Sequence, residues 1–265
     1  MISLQNYIQV SNDGDGHVHL FDHNNPIPEK PSSLCVGFMD IDFDHKNSVV
    51  ESYDNYIKNH WNKDKEILLA TGFTIEDIKS IREKHTNVIK GFGELKCYDT
   101  YLGEKVPYKK ISFAKQVARY SYEIGCLPVY IHWSLTNNKD VEDLENLLST
   151  YNKVPIVLCH MGMCMKEEFH DFAYTEAVRL QNKYNNLWID ISWDAAEYLS
   201  NNLMLLSNIS RDRIILGSDL NNKSFAGKDI HAIRNKKWGI GKMATIKNYL
   251  QLNNSQNIKK LFGIQ

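Results

Sequence analysis

What most constrains the fold of this chain is a rhythm in its second half. Apolar runs end at His132 and His160, pass through Asp190 and end at Asp219, at intervals of 28, 30 and 29 residues. Each interval is about the length of one β-strand and the helix that returns from it. The same kind of run recurs from the start of the chain: 14–21, 34–42, 66–73, 88–98, 129–134, 154–162, 187–193 and 213–220 read as eight strands. Stretches of helical character lie between them at 47–62, after Thr74, and at 111–124, 139–151, 168–184 and 194–207. Thr74 with Asp77 three places on forms a capping pair for the helix it opens. Strands that alternate with helices build a parallel sheet, and with no glycine-rich nucleotide fingerprint in the chain a closed ring is favoured over a doubly wound open sheet. The expected fold is an α/β protein of the (β/α)8 TIM barrel type. No linker rich in Pro, Gly or Ser divides it, so residues 1–265 are read as one domain.

Composition narrows the classes of function. Hydrophobic residues make up 43% and charged residues 24%, which excludes disordered, collagen-like and coiled-coil readings. With Lys+Arg 31 against Asp+Glu 32 the formal net charge is −1, and basic residues cluster only as pairs, so a phosphate-neutralising surface for nucleic acid is not expected. The first 20 residues hold no Lys or Arg, and no run of 18 apolar residues occurs. Neither a leader peptide nor a membrane span is therefore expected, and the cytoplasm is the expected location. Cys35, Cys97, Cys126, Cys159 and Cys164 are odd in number and lack a Cys-x-x-Cys pair, which suits reduced core thiols. An assembly of identical chains is left open.

In a barrel of this kind the reactive groups stand at the C-terminal ends of the strands. His17 and His19, two apart on the first strand, point to one face and make half of a site for zinc, iron, manganese or nickel. Glu94 ends the fourth strand, His132 the fifth, His160 the sixth and Asp219 the eighth. Four imidazoles and two carboxylates of metal-ligand type thus fall at the same end of the ring. Trp133, Trp193 and Tyr98 are candidate lining residues, and His23 is a candidate substrate contact. The loop from Asn221 to Lys228 is a candidate lid. His45, His60, His85, His170 and His231 are read as surface.

The motifs Gly-His-Val-His (16–19), Gly-Phe-Gly-Glu (91–94), Leu-Pro-Val-Tyr-Ile-His (127–132), Val-Leu-Cys-His-Met-Gly (157–162) and Leu-Gly-Ser-Asp (216–219) resemble those of the metal-dependent amidohydrolase superfamily. Asn257 to Phe262 resembles the helix that closes its barrels. The His-Met-Gly and Gly-Ser-Asp forms are most similar to the amidohydrolase 2 branch, which includes lactone hydrolases and decarboxylases. The TatD-type nucleases share the ligand order but differ around the eighth-strand Asp. The resemblance implies that His17, His19 and Asp219 bind one divalent metal, zinc first. His132 and His160 would approach a second position or the substrate, and Glu94 stands where many members carry a bridging modified lysine. It further implies a hydrolase that attacks a small-molecule amide, lactone or ester with metal-activated water. Asp219 would move the proton and His160 would stabilise the oxyanion. A decarboxylase or other lyase, a TatD-like phosphodiesterase and a catalytically silent binding barrel are the alternatives.

Overall fold

A computed structural model describes residues 15–22, 25–26, 34–39, 49–97, 100–101, 104–105, 111–164, 166–219 and 240–264. Its eight parallel strands are β1 (Asp15–Asp22), β2 (Cys35–Met39), β3 (Glu66–Ala70), β4 (Ile89–Lys96), β5 (Val129–His132), β6 (Ile156–Leu158), β7 (Leu187–Ile191) and β8 (Ile214–Leu216). They pair in chain order, β1 to β8, as one sheet. The helices are α1 (Val49–Asn59), α2 (Ile75–Lys84), α3 (Ile111–Glu123), α4 (Asn138–Thr150), α5 (His170–Lys183), α6 (Trp193–Asn201), α7 (Ile240–Leu250) and α8 (Asn254–Phe262). The arrangement is a (β/α)8 barrel, nearly closed between β8 and β1.

Alternation along the strands sorts side chains into two cores, as the two covered faces of a parallel sheet require. Val18, Leu20, Cys35, Met39, Leu68, Val129, Ile131, Ile156, Leu158, Ile189 and Leu216 face outward and pack with the helices. Val36, Phe38, Ile67, Leu69, Tyr130, Val157, Cys159, Trp188 and Ile215 face inward and fill the ring, joined by Ile258 and Leu261 of α8. Asn254 fastens α8 to β8, its Oδ1 accepting from Leu216 N at 2.8 Å and its Nδ2 donating to Leu216 O at 2.9 Å.

Closure of the ring is polar and tight. Asp15 Oδ1 accepts from Ser218 N at 2.9 Å and from His17 N at 3.2 Å, and Asp219 N donates to His17 O at 2.9 Å. Gly217 makes this approach feasible, because a Cβ there would sit 2.9 Å from both His17 N and Asp190 Oδ1. The seam thereby sets Asp219 against β1.

Several boundaries differ from the sequence reading. The sixth strand stops at Leu158, and His160 sits in a tight turn with Met161, at φ 52° and 57°. The eighth strand stops at Leu216, with Asp219 beyond it at φ 53°. The helix expected to reach residue 207 ends at Asn201. Asn202 Nδ2 takes up Tyr198 O at 2.9 Å, and a 3-10 segment, Leu203–Asn208, follows. The expected cap of α2 is present in both directions, Asp77 N donating to Thr74 Oγ1 at 3.1 Å and Thr74 N to Asp77 Oδ2 at 3.0 Å. Among the described residues no helix is long and apolar enough to cross a membrane.

Candidate active site

His17, His19, Glu94, His132, His160 and Asp219 come together inside one end of the barrel. Alternation along β1 sends Val18 and Leu20 outward and both histidines inward, where each meets the edge of Phe38 at ring-centroid distances of 5.0 and 4.7 Å. Simple alternation from the inward Gly91 would send Glu94 outward. The β4 register is irregular between Phe92 and Leu95, however, so Leu95 joins the outer core and Glu94 turns into the ring. Its Oε1 faces His132 Nδ1 at 2.8 Å and His160 Nε2 at 3.2 Å. Asp219 Oδ1 faces His19 Nε2 at 3.2 Å and His17 Nε2 at 3.3 Å. Glu94 reaches across to the β1 pair, with Oε2 3.8 Å from His19 Nε2 and Oε1 4.0 Å from His17 Nε2.

These groups shift one another's protonation. Burial alone would raise the Glu94 carboxyl, but His132, His160 and His17 outweigh it and hold it well below the usual carboxylate range. Burial would likewise raise Asp219, yet His17, His19 and His160 keep it ionised. Burial lowers His132 and Glu94 only partly opposes this. For His17 and His160 the balance is reversed. Burial favours the neutral ring, but Asp190 and Asp219 raise His17 well above an ordinary imidazole, and Glu94 and Asp219 raise His160.

Metal-capable triplets recur within this cluster: His17, His19 and Glu94; His17, His160 and Asp219; Glu94, His132 and His160. One atom tests their fit to a cation. His17 Nε2 is fully buried and makes no hydrogen bond among the described residues, while it faces two carboxylate oxygens. A buried polar atom left in this way calls for an ion or a water. The nitrogen and oxygen donors suit a divalent transition ion.

Sequence reasoning missed two residues here. Asp190, read only as a marker of the 29-residue rhythm, points into the ring and faces His17 Nδ1 at 2.8 Å; Ser192 Oγ stands 2.8 Å from His160 Nδ1. The signal for Asp190 was its place one repeat from both His160 and Asp219. Cys159 joins the inner core and lies with His17 and Asp190 in a further triplet, whereas Cys126 and Cys164, expected in the core, are only half-buried. His170, expected on the surface, is buried, its Nε2 2.7 Å from Cys164 O. The reason is that α5 begins at this residue and folds its first turn against the β6 loop. His85 is partly buried against Asp54, at 2.6 Å, while His60 is exposed as expected.

Among the aromatic candidates, Trp193 presents an edge to His160 at 5.4 Å, at φ 47°. Trp133 packs against the outer core, its indole N–H donating to Asp140 O at 2.9 Å. Tyr98, His23, His45, His231 and the loop 221–228 lie outside the described residues. Left-handed backbone at His160, Met161, Trp193 and Asp219 gathers at this end of the ring, the kind of strain that functional sites hold.

Comparison with known proteins bears on the fold. The family model described as amidohydrolase matches residues 126–229, the segment that carries His132, His160 and Asp219. No curated protein sequence matches the chain. Solved structures do. A probable 2-pyrone-4,6-dicarboxylic acid hydrolase from Acinetobacter baumannii, with citric acid bound, superposes at a TM-score of 0.56 and 18% identity, over 96% of this chain and 100% of that one. The dihydroorotase of Saccharomyces cerevisiae, in complex with 5-fluoroorotic acid, gives a TM-score of 0.57 at 12% identity, covering 95% and 84%. The dihydroorotase of Campylobacter jejuni gives 0.53 at 12% identity, covering 96% and 84%. At these identities the likeness is one of fold.

Proposed function

We propose that this chain, whose residues 126–229 match the amidohydrolase family model, is a metal-dependent hydrolase opening an amide, lactone or ester bond of a small molecule. The observation that carries this reading is His17 Nε2, fully buried, without a hydrogen bond and turned toward Asp219 Oδ1 at 3.3 Å and Glu94 Oε1 at 4.0 Å. His17, His19 and Asp219 would hold the ion, with Glu94 beside it; Glu94, His132 and His160 form an adjoining triplet that would hold a second or meet the substrate. Zinc is the first choice for such imidazole and carboxylate donors. A divalent ion there would supply Lewis acidity toward a carbonyl and bring the pKa of water down to about 7.

The chain's own groups do the rest. Asp219 is held ionised by His17, His19 and His160 against the effect of burial, and its side chain is 13% exposed where that of His17 is 0%. It is the carboxylate a reacting water can reach, and it takes the proton and returns it to the leaving group. His160, whose Nε2 faces the centre 3.2 Å from Glu94 Oε1, would stand beside the oxygen on which negative charge develops. Trp193 walls the site next to His160. With a formal net charge of −1 and basic residues only in pairs, the substrate is small rather than nucleic acid.

Metal analysis of protein purified without chelator, followed by a screen of lactones, amides, esters, phosphoesters and aromatic carboxylates, tests the reading. The hydrolase name of the Acinetobacter structure makes small carboxylated ring compounds the first trials. One to two equivalents of a divalent ion and hydrolytic turnover are expected. Asp219→Asn should retain most of the metal and lose about 10² to 10⁴ in turnover. Protein that neither contains nor takes up a divalent ion would overturn the proposal.

A further inference from the structure

Asp190 and Ser192 stand outside the steps just described, yet they connect two of the histidines. Asp190 Oδ2 receives three groups: His17 Nδ1 at 2.8 Å, Ser192 Oγ at 2.5 Å and the His160 main-chain N at 3.2 Å. Ser192 Oγ in turn lies 2.8 Å from His160 Nδ1. All four residues are buried.

The protons in this network can be placed from its geometry. A main-chain N–H only donates, so Asp190 Oδ2 is an acceptor. Two oxygens at 2.5 Å need a proton between them, and it belongs to Ser192, whose hydroxyl therefore donates to Asp190. A hydroxyl has one proton, so toward His160 the Ser192 oxygen accepts, and His160 Nδ1 must carry hydrogen. His17 Nδ1, facing Asp190 Oδ2, must carry hydrogen as well. The direction is uniform, from both rings toward one carboxylate. Both Nε2 atoms then face the centre, His17 Nε2 toward Asp219 and His160 Nε2 toward Glu94.

We propose that Asp190, with Ser192 as its relay, is a positioning element that keeps hydrogen on Nδ1 of His17 and His160 and so turns both Nε2 atoms toward the ion and substrate. One carboxylate sets two rings that approach the centre from a strand and from a turn, at sequence distances of 173 and 30 residues. An imidazole so fixed cannot flip to offer its other nitrogen, and it loses less freedom when the centre fills. The inference rests on the reading that the centre holds a divalent ion.

The test compares wild type, Ser192→Ala, Ser192→Thr and Asp190→Asn. Zinc affinity is measured by competition with a chromophoric chelator, ring tautomers by long-range proton–nitrogen spectra, and folding by circular dichroism. Ser192→Ala should weaken zinc about 10- to 100-fold and convert a fraction of His160 to the Nε2–H form while His17 keeps its spectrum. Ser192→Thr, which keeps the hydroxyl, should restore both. Asp190→Asn should disturb His17 and His160 together and weaken zinc further. His132, whose Nδ1 faces Glu94 and not this network, serves as the internal control. Should Asp190→Asn fail to fold, the Ser192 pair carries the test alone. If wild type binds zinc and Ser192→Ala binds it equally with an unchanged His160 spectrum, the positioning role is wrong and the metal reading stands. If wild type itself binds no zinc, the metal reading fails and the inference with it.

Discussion

Substituting Gly217 by alanine probes how the barrel seam builds the site. A methyl carbon at this position would stand 2.9 Å from His17 N and from Asp190 Oδ1, and closer still to His17 Cβ. Non-bonded carbons settle about 3.5–4.0 Å apart and His17 Cβ would lie at 2.2 Å, so β8 and β1 must separate by roughly 1.5 Å. Two effects oppose each other. Alanine narrows the unfolded ensemble, which stabilises by about 0.4–1 kcal/mol. An added carbon in a filled core costs about 1–3 kcal/mol, and the upper end applies because no rotamer change moves a main-chain nitrogen or a Cβ. The net loss expected is about 2 kcal/mol. For a chain of this length that is roughly 4–8 °C in the unfolding midpoint. Separation of the seam also draws Asp219, whose N–H is bonded to His17 O at 2.9 Å, away from the histidines, so zinc affinity should fall alongside stability. Denaturant unfolding of the metal-free protein and chelator competition read the two effects separately. Gly125→Ala is the control: it sits at φ 116°, and an added Cβ meets no described atom within 4 Å. It should lose stability through backbone strain and keep its zinc affinity. A Gly217→Ala protein within 0.5 kcal/mol of wild type, binding zinc equally, would refute the reasoning.

Other expectations are simpler to check. Asn254→Ala leaves the buried main-chain N–H and C=O of Leu216 without their side-chain partner, and should cost about 2–3 kcal/mol in equilibrium unfolding. An unchanged denaturant midpoint would mean that water replaces the amide. Zinc uptake should strengthen as pH rises through neutrality, because His17 and His160 hold their protons above the ordinary imidazole range and the ion must displace them. Calorimetry in buffers of different ionisation enthalpy should detect the released protons, and equal affinity on both sides of neutrality would contradict this. Asp54, joined to Lys84 and to His85 at 2.6 Å, ties α1 to α2. Burial alone would raise its carboxyl, but Lys84 and His85 outweigh it and hold it low. Because the folded-state value is depressed, its contribution is present above the unfolded-state value and is lost as pH falls through the folded one. Asp54→Asn should therefore cost at most about 1 kcal/mol near neutral pH and nothing in strong acid, read from unfolding midpoints across that range.

Much of this protein is a local property of its sequence. Whether a strand is covered on both faces, how far a helix runs before the next strand and where Thr74 and Asp77 cap one are written in neighbouring residues, so the 29-residue rhythm disclosed a (β/α)8 barrel. Residue type at the strand ends disclosed His17, His19, Glu94, His132, His160 and Asp219 as a set. Tertiary structure decided how that set is aimed. Simple alternation would have sent Glu94 out of the barrel, and only the irregular pairing of β4 with β5 turns it inward. His160 reaches the centre from a left-handed turn that follows its strand, with its main-chain N–H held by Asp190. Asp190 meets His17 across 173 residues because the ring closes, and closure depends on Gly16 and Gly217 lying where no side chain fits. Periodicity records which face each residue buries, whereas partnership across a closed ring depends on packing between segments distant in sequence, and no local pattern encodes it.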